Sequence, residues 1–279
     1  MKNQKTFSNY ASFLILSALS VLFFVPIFIV IINSFKSRLY ISESPLTLPN
    51  TQTFVGLENY INGIKSSDFF ASIFRSVIIT VVSVALILVF TSMTAWYITR
   101  VHTKTSRIIY FAFVFSMIVP FQMVMYTMTY IVNLLSFDSV LGITIVYLGF
   151  GAGLSVFMLS GFIKGIPLEI EEAAMIDGCN PPKMFFMVIF PILKPVLITV
   201  AILNVMWIWN DYLLPYLVLG TDEKTLPVAI QIAMQGAYGA TDYGGFMAML
   251  VLAIIPIVIF YLSLQKYIIK GAMAGAVKG

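Results

Sequence analysis

Residues 76–98 read SVIITVVSVALILVFTSMTAWYI and contain no charged side chain. A bilayer core is about 30 Å thick, and an α-helix needs roughly 20 consecutive apolar residues to cross it. This run has that length and that apolar character. It therefore predicts a membrane-spanning helix.

Five other runs are also long enough to cross a bilayer and, apart from one residue, have the same lack of charge. They cover residues 12–32, 108–135, 139–163, 195–219 and 243–265. The exception is Asp211, near one end of the run 195–219. Of the 279 residues, 60% are hydrophobic and 10% are charged, whereas soluble domains average about 45–50% and about 25%. The sequence predicts an all-α polytopic membrane protein with six transmembrane helices.

The basic residues indicate which way the helices run. Eleven of the sixteen lysines and arginines lie in the N-terminus, the second and fourth connections and the C-terminus. Four of the twelve acids share that side, so its net charge is +7 and that of the other side is −3. Because basic residues concentrate in cytoplasmic loops, both termini are expected to be cytoplasmic. The first run lacks the short core and cleavage site of a signal peptide, so it is expected to be a retained span.

Several functions are excluded by what the sequence lacks. The overall charge of +4 follows from this loop asymmetry rather than from the clustered basic face that nucleic-acid binding needs. One cysteine and one histidine permit neither an internal disulfide nor a metal site made of several thiolates or several histidines. The chain has no G-x-x-x-x-G-K-[ST], the loop that holds nucleotide phosphates. We therefore expect no cofactor on this chain and no ATPase activity of its own.

The cytoplasmic loop 164–194 is predicted to contain a short helix. Pro167 suits a first helical position, and the acids that follow are stabilised by the helix dipole. Asp177 and Gly178 predict the end of the helix, since glycine accepts a left-handed conformation. Asn180 is a plausible cap for a second helix that leads back to the membrane. From these residues alone the element is either a simple connection or a docking surface for a partner.

Residues 172–178 read EAAMIDG and residues 188–191 read VIFP. The first stretch resembles the EAA signature of the membrane-spanning subunits of bacterial ABC importers. That signature continues with Ile-x-Leu-Pro, so the proline is in register here and two apolar positions hold other apolar residues. Residues 207–212, WIWNDY, and the tail KYIIKGAMAGAVKG resemble the MalG-like permeases of maltose-type carbohydrate importers.

The resemblance implies a type I ABC importer transmembrane domain that extends over residues 1–279, in a bacterial cell membrane. It implies a MalF-like permease as heterodimer partner, two copies of an ABC ATPase subunit that bind ATP and Mg²⁺, and an extracytoplasmic sugar-binding protein. It also implies a set of residues that couple the permease to the ATPase: Glu169, Glu172, Ala173, Ala174, Asp177 and Gly178. The tail is implied to reach the ATPase interface through Gly271, Gly275, Lys278 and Gly279.

Two polar stripes are candidates for the substrate pathway, because polar groups in spans often face a water-filled cavity. One comprises Asn204, Trp207 and Asp211, with Asn210 beside it; the other comprises Gln122, Tyr126, Tyr130 and Asn133, after a possible kink at Pro120. The alternative is structural, since amides bond neighbouring helices and aromatic residues anchor span ends. A carbohydrate importer is the favoured function. The alternative is an ion-coupled secondary transporter of a small polar solute, for which Asp211 alone could supply a membrane-embedded acid.

Overall fold

A computed structural model of the chain describes residues 2–234 and 241–276. The regular structure of these residues is helical. The helices are α1 (Lys2–Ser34), α2 (Arg38–Glu43), α3 (Glu58–Ser66), α4 (Phe69–Arg100), α5 (Lys104–Ser116), α6 (Phe121–Leu134), α7 (Gly142–Ile163), α8 (Glu169–Ile176), α9 (Pro181–Met184), α10 (Phe190–Ile192), α11 (Lys194–Asn210), α12 (Leu213–Leu219), α13 (Leu226–Ala233) and α14 (Tyr243–Ala276). A π-helical turn, Phe185–Ile189, joins α9 to α10.

Four helical segments are long and apolar enough to cross a membrane alone: Ser12–Ser34, Phe69–Arg100, Gly142–Ile163 and Tyr243–Ser263. Two bent pairs of helices raise the number to six if each pair is one span. These pairs are α5 with α6, bent by 108°, and Pro181–Ile192 with α11, bent by 78°. The predicted helical membrane fold is confirmed, with two of the spans broken.

The predicted span over 108–135 consists of two helices rather than one kinked helix. α5 ends at Ser116 and α6 begins at Phe121, with Pro120 immediately before it. Proline lacks the N–H that a continuous helix needs, and it drives the preceding residue out of the helical region. The predicted kink is therefore a complete break. The run 195–219 is interrupted as well, because α11 ends at Asn210 and α12 starts at Leu213.

The described residues form two compact units. The first contains residues of 1–70 and 229–256, and Asn59 and Lys36 organise its loops. Asn59 donates to the carbonyls of Ser34 (2.9 Å) and Lys36 (2.8 Å). The Lys36 side chain is fully buried and its Nζ donates to the Ser44 carbonyl at 2.8 Å. This burial lowers the pKa of the Lys36 amine, because the charged form loses hydration.

The second unit contains residues of 71–228 and 257–279, and α7 lies at its centre. α7 packs against α5 and α11, and its side chains Tyr147, Val156 and Leu159 are fully buried. Glycine allows the close approach: a Cβ on Gly151 would lie 2.6 Å from Ile87 Cδ1 and 2.8 Å from Asn204 Oδ1. Small residues at helix contacts are typical of membrane bundles. The second unit also positions the loop that contains α8.

Candidate functional site

Helix α8 spans Glu169–Ile176; it is called the coupling helix below because the resemblance implies that role for it. It begins after Pro167, with Leu168 as its N-cap, so the prediction that Pro167 is the first helical residue was wrong. Its end agrees with the prediction: Gly178 has φ +77°. The Gly178 N–H donates to the Met175 carbonyl and the Cys179 N–H to the Ala174 carbonyl, both at 3.0 Å. This is a Schellman motif, which satisfies carbonyls that the helix leaves free.

The predicted second helix also begins where expected. The Asn180 side chain accepts a hydrogen bond from the Lys183 N–H at 3.0 Å and so caps α9. The two proline residues after Asn180 occupy the first turn of α9, where the missing N–H groups cost nothing. The coupling helix is therefore delimited on its C-terminal side by two consecutive capping motifs.

The six residues of the predicted coupling set do not share one face. Five of them are exposed: Glu169, Glu172, Ala173, Asp177 and Gly178. Ala174 is buried and belongs to the core of the second unit. Positions 171 and 174 therefore face the body of the protein, as a spacing of three residues on a helix requires.

Glu171 anchors the coupling helix, and sequence reasoning did not single it out. Its Oε1 accepts from Arg100 Nε at 2.7 Å, and its Oε2 accepts from Trp96 Nε1 at 3.1 Å. Arg100 Nη2 also donates to the Ile166 carbonyl at 3.0 Å. The Glu171 side chain is 6% exposed and that of Arg100 is 19% exposed. The pair is thus a largely buried, charge-assisted clamp between α4 and α8. The signal available in the sequence was the spacing of four between Trp96 and Arg100, which places both on one face of α4.

The outer surface of this loop combines acidic and apolar side chains. Ile176 is 86% exposed, and Met175 and Leu168 are also exposed. The exposed carboxylates of Glu169 and Glu172 lie on the same short element. Isolated exposed apolar residues are ordinary. With Ile170, four such residues are exposed on one eight-residue helix and its N-cap. Beside two acids, they form a surface suited to a partner groove with apolar and basic groups.

Behind the coupling helix the chain turns sharply into α11. Phe185 and Ile189 of the π-helical turn are buried, and the Phe185 ring lies 5.8 Å from that of Trp96. Pro191 follows within α10, and the axis bends by 78° before α11. π-helical turns and prolines are known causes of sharp bends. The VIFP stretch therefore belongs to the bend that links the loop to a membrane helix.

The stripe on α11 contacts α7. Asn204 is buried, and its Nδ2 donates to Ser155 Oγ at 3.3 Å and to the Val200 carbonyl at 2.9 Å. The Trp207 ring packs edge-on against that of Tyr147, at 5.4 Å. Asn204 thus forms a hydrogen bond with a neighbouring helix. This is the structural role considered above as the alternative to a place in the substrate pathway. Trp207 is 40% exposed and keeps an accessible ring surface.

Asp211 lies in the break between α11 and α12 rather than within a helix. Its Oδ2 accepts from the Tyr147 hydroxyl at 3.1 Å, and its Oδ1 accepts from the Leu213 N–H at 3.0 Å. The carboxylate therefore caps α12 and ties it to α7. Asn210 is exposed, and its Nδ2 donates to the Met206 carbonyl of its own helix at 2.7 Å.

The stripe on α6 is exposed along its whole length. This face comprises Gln122, Tyr126, Tyr130 and Asn133. Tyr126 and Tyr130 are 76% and 69% exposed, while Val132 on the opposite face is buried. The structure thus brings these four residues together on a surface of α6. Among the described residues, no hydrogen bond or ring contact joins them to the stripe on α11.

The predicted tail residues are only partly within the structure. Gly271 and Gly275 lie in the last turns of α14. Lys278 and Gly279 lie outside the described residues. Their role at an ATPase interface stays a prediction.

Relatives of this chain are permease proteins of sugar transport systems. The probable starch degradation products transport system permease protein AmyC of Thermoanaerobacterium thermosulfurigenes is 40% identical over 93% of both chains. The multiple sugar-binding transport system permease protein MsmG of Streptococcus mutans is 33% identical over the full length of both. The melibiose/raffinose/stachyose import permease protein MelC of Bacillus subtilis is 31% identical over 92% of both.

A solved structure shows the same fold. It is the crystal structure of a bacterial ABC transporter involved in the import of the acidic polysaccharide alginate. One of its chains matches with a TM-score of 0.75 and 20% identity, over 94% of this chain and 96% of that one. The fold is that of a type I ABC importer transmembrane domain. Residues 87–273, including the coupling helix, match one family profile, and the chain belongs to the family of binding-protein-dependent transport system inner membrane components.

Proposed function

We propose that this chain is the permease subunit of an ATP-driven ABC importer for a carbohydrate, most simply an oligosaccharide. Family membership supports transport across the cell membrane together with a binding protein. The names of the relatives support sugar as the substrate class. The observation that carries the coupling part of the proposal is the coupling helix, clamped to α4 through Glu171 and Arg100 while its other face is exposed.

The exposed face is the proposed contact with the ATPase. Glu169 and Glu172 supply negative charge, and Ile176 supplies an apolar side chain that is 86% exposed. The small side chain of Ala173 allows the ATPase to approach the helix closely. Gly178 ends the helix immediately after these residues. Movement of the ATPase then reaches the membrane through Glu171 and Arg100.

The remaining partners follow from the same proposal. Two copies of a separate ATPase subunit bind ATP and Mg²⁺ and carry out the hydrolysis, and a MalF-like permease forms the other half of the pathway. An extracytoplasmic binding protein delivers the sugar. Both termini lie in the cytoplasm, on the side with net charge +7. The two compact units act together as one transmembrane domain.

For the sugar pathway we propose the exposed polar groups rather than the packed ones. Trp207 offers an accessible ring surface, and Asn210 an exposed amide. The exposed face of α6 adds the hydroxyls of Tyr126 and Tyr130. Hydrogen bonds from such groups suit sugar hydroxyls, and aromatic rings suit the C–H faces of sugar rings. Asn204 and Asp211 position these groups through their bonds to α7 and α12.

The test compares Glu172→Lys with Glu58→Lys. Both replace an exposed glutamate, but Glu58 lies on the opposite, external side in the proposed topology. Tagged chain is purified from its host membrane, and copurifying ATPase and ATP hydrolysis are measured. We expect Glu172→Lys to lose the ATPase while the chain still inserts, and Glu58→Lys to retain it. Equal retention by both variants contradicts the coupling assignment.

A second measurement separates ATP-driven from ion-driven transport. Purified complex is reconstituted into vesicles, and uptake of labelled maltooligosaccharides is followed with ATP present and ion gradients collapsed by ionophores. We expect uptake to persist. Loss of uptake at constant ATP supports the ion-coupled alternative instead.

A further inference from the structure

The only charged side chain within the six apolar runs is that of Asp211. None of these runs contains a lysine, an arginine or a histidine. The groups proposed above for the sugar pathway are neutral: the ring of Trp207, the amide of Asn210 and the hydroxyls of Tyr126 and Tyr130. The part of the pathway that this chain contributes therefore combines one negative charge with no positive charge.

Asp211 lies directly beside the proposed sugar-contacting groups of α11. It follows Asn210 in the chain, and it shares a partner with Trp207. This partner is the buried Tyr147, whose hydroxyl donates to Asp211 Oδ2 at 3.1 Å and whose ring lies 5.4 Å from that of Trp207. Asp211 Oδ1 accepts from the Leu213 N–H at 3.0 Å. Both oxygens thus act as acceptors, as in an ionised carboxylate, and these bonds hold the negative charge in place.

This charge distinguishes two classes of saccharide. A neutral saccharide needs hydrogen bonds and contacts with its ring faces, which neutral polar and aromatic groups provide. A saccharide that carries carboxylates loses hydration when it leaves bulk water, and it needs cations or many donors in exchange. Asp211 is half-buried, so water screens its charge less than in bulk, and it repels such carboxylates.

The fold itself does not select between the two classes. The solved structure with the same fold belongs to a transporter involved in the import of an acidic polysaccharide. Selection by charge must therefore come from individual side chains. In the proposed topology, the external side of the second unit has a net charge of −2, from two bases and four acids: Arg75, Lys224, Asp138, Asp211, Asp222 and Glu223. A negative entrance disfavours the approach of anionic solutes.

We propose that the part of the pathway formed by this chain passes uncharged saccharides and disfavours saccharides that carry carboxylates, and that Asp211 sets this preference. The inference rests on the proposed function, because it assigns a charge selectivity to the sugar pathway named there. Asp211 then has two roles: it caps α12, and it determines specificity.

Thiol reactivity measures the charge preference without any sugar. Cys179 is the only cysteine of the chain, so Cys179→Ser with Asn210→Cys leaves one thiol next to Asp211. The full importer is labelled in nanodiscs with a cationic and an anionic methanethiosulfonate of similar size, and the rates on this chain are divided by those of a free thiol. We expect the cationic reagent to be preferred roughly tenfold, as one charge at short distance implies, and this preference to be largely lost when Asp211→Asn is added.

Thr221→Cys is the matched control. Thr221 is exposed and precedes Asp222 and Glu223, so its preference for the cationic reagent should be the same with Asp211 and with Asp211→Asn. If the thiol of Asn210→Cys reacts with both reagents at equal corrected rates, the charge selectivity is overturned and the proposed function stands. If it reacts with neither reagent, Asn210 lies outside a water-filled pathway, which contradicts the pathway assignment and the charge selectivity with it.

Protection by saccharides tests the substrate class itself. Maltotetraose and its aldonic acid form a matched pair, because oxidation of the reducing end adds one carboxylate. Each is added at the same concentration to the Asn210→Cys importer without binding protein, and labelling by an uncharged thiol reagent is followed. We expect maltotetraose to slow labelling several-fold, the aldonic acid to slow it much less, and the difference to narrow with Asp211→Asn. Equal protection by both saccharides with Asp211 in place overturns the proposal, whereas protection by neither contradicts a sugar pathway at Asn210.

Discussion

Replacing Glu171 by alanine removes both carboxylate acceptors from the clamp between α4 and α8. Arg100 Nε loses its bond of 2.7 Å and Trp96 Nε1 its bond of 3.1 Å. The Arg100 guanidinium keeps one bond, to the Ile166 carbonyl. The coupling helix then retains its Schellman end and the packing of Ala174, but no polar attachment through residue 171.

The size of the effect follows from burial. Removing one partner of a buried ion pair costs about 3–5 kcal/mol, because the other charge is left without compensation. Arg100 is 19% exposed, so water reaches it in part and the cost falls to the lower end of this range or below it. We expect Glu171→Ala to reduce the free energy of unfolding by about 2–3 kcal/mol. Glu172→Ala, on the exposed face, should change it by less than about 0.5 kcal/mol.

The assay is a double-mutant cycle on the purified chain in detergent. Glu171→Ala, Arg100→Ala and the double variant are unfolded reversibly with a denaturing detergent, and the free energies are compared. We expect the double variant to lose clearly less than the two single losses added together, because the second substitution removes an already unpaired group. Additive losses would refute the clamp. Equal losses in Glu171→Ala and Glu172→Ala would refute the assignment of opposite faces.

Three further predictions concern backbone conformation, packing and a buried amine. Gly178→Ala should lower the free energy of unfolding by about 1–2 kcal/mol. The cause is the backbone, because φ is +77° at this residue and an added Cβ would meet no neighbouring atom. Gly178→Asn should cost less when the free energies of unfolding are compared. Gly151→Ala should cost about 1–3 kcal/mol through its clash with Asn204, while Gly161→Ala in α7, which meets nothing, should be neutral or stabilising in the same assay. The pKa of the Lys36 amine is lower in the folded protein than in the unfolded chain, where it has the usual value near 10.5. Between these two pKa values the unfolded chain binds more protons than the folded protein, so the free energy of unfolding should rise with pH in that window. Lys36→Met should abolish this rise, and a pH-dependent slope that survives in Lys36→Met would assign it to another group.

The sequence predicted the membrane class and the position of most spans because both depend on long uncharged runs, which no soluble surface tolerates. The fifth span is the exception: the run 195–219 was predicted, whereas the bent pair in the structure covers Pro181–Ile192 and Lys194–Asn210. The sequence also predicted the end of the coupling helix, since Gly178 and Asn180 act locally through backbone conformation and capping. These features need no knowledge of which segments meet in space. The same holds for Pro120, whose effect on a helix is intrinsic.

What the sequence did not predict depends on contacts between distant segments. Glu171 stands beside two other acids, and its bonds to Trp96 and Arg100, 75 and 71 residues earlier, distinguish it from Glu172. Asp211 interrupts a continuous apolar run because its carboxylate caps α12 and accepts from Tyr147. The bend at Pro120 is 108°, which is larger than the predicted kink. This angle likewise reflects the packing of α5 against α7.

The coupling helix is too short to be stable alone, because isolated helices below about 12–15 residues are marginal in water. Its position is therefore set by what it touches, and Trp96 connects two of these contacts. The Trp96 indole N–H donates to Glu171, and its ring lies 5.8 Å from Phe185 in the π-helical turn. A displacement of α8 by a partner thus has two routes inward, one through Arg100 to α4 and one through Phe185 to the bend before α11. Since α4 and α11 both reach Gly151 of α7, the two routes converge at a close contact between helices, where small shifts force rearrangement rather than elastic deformation.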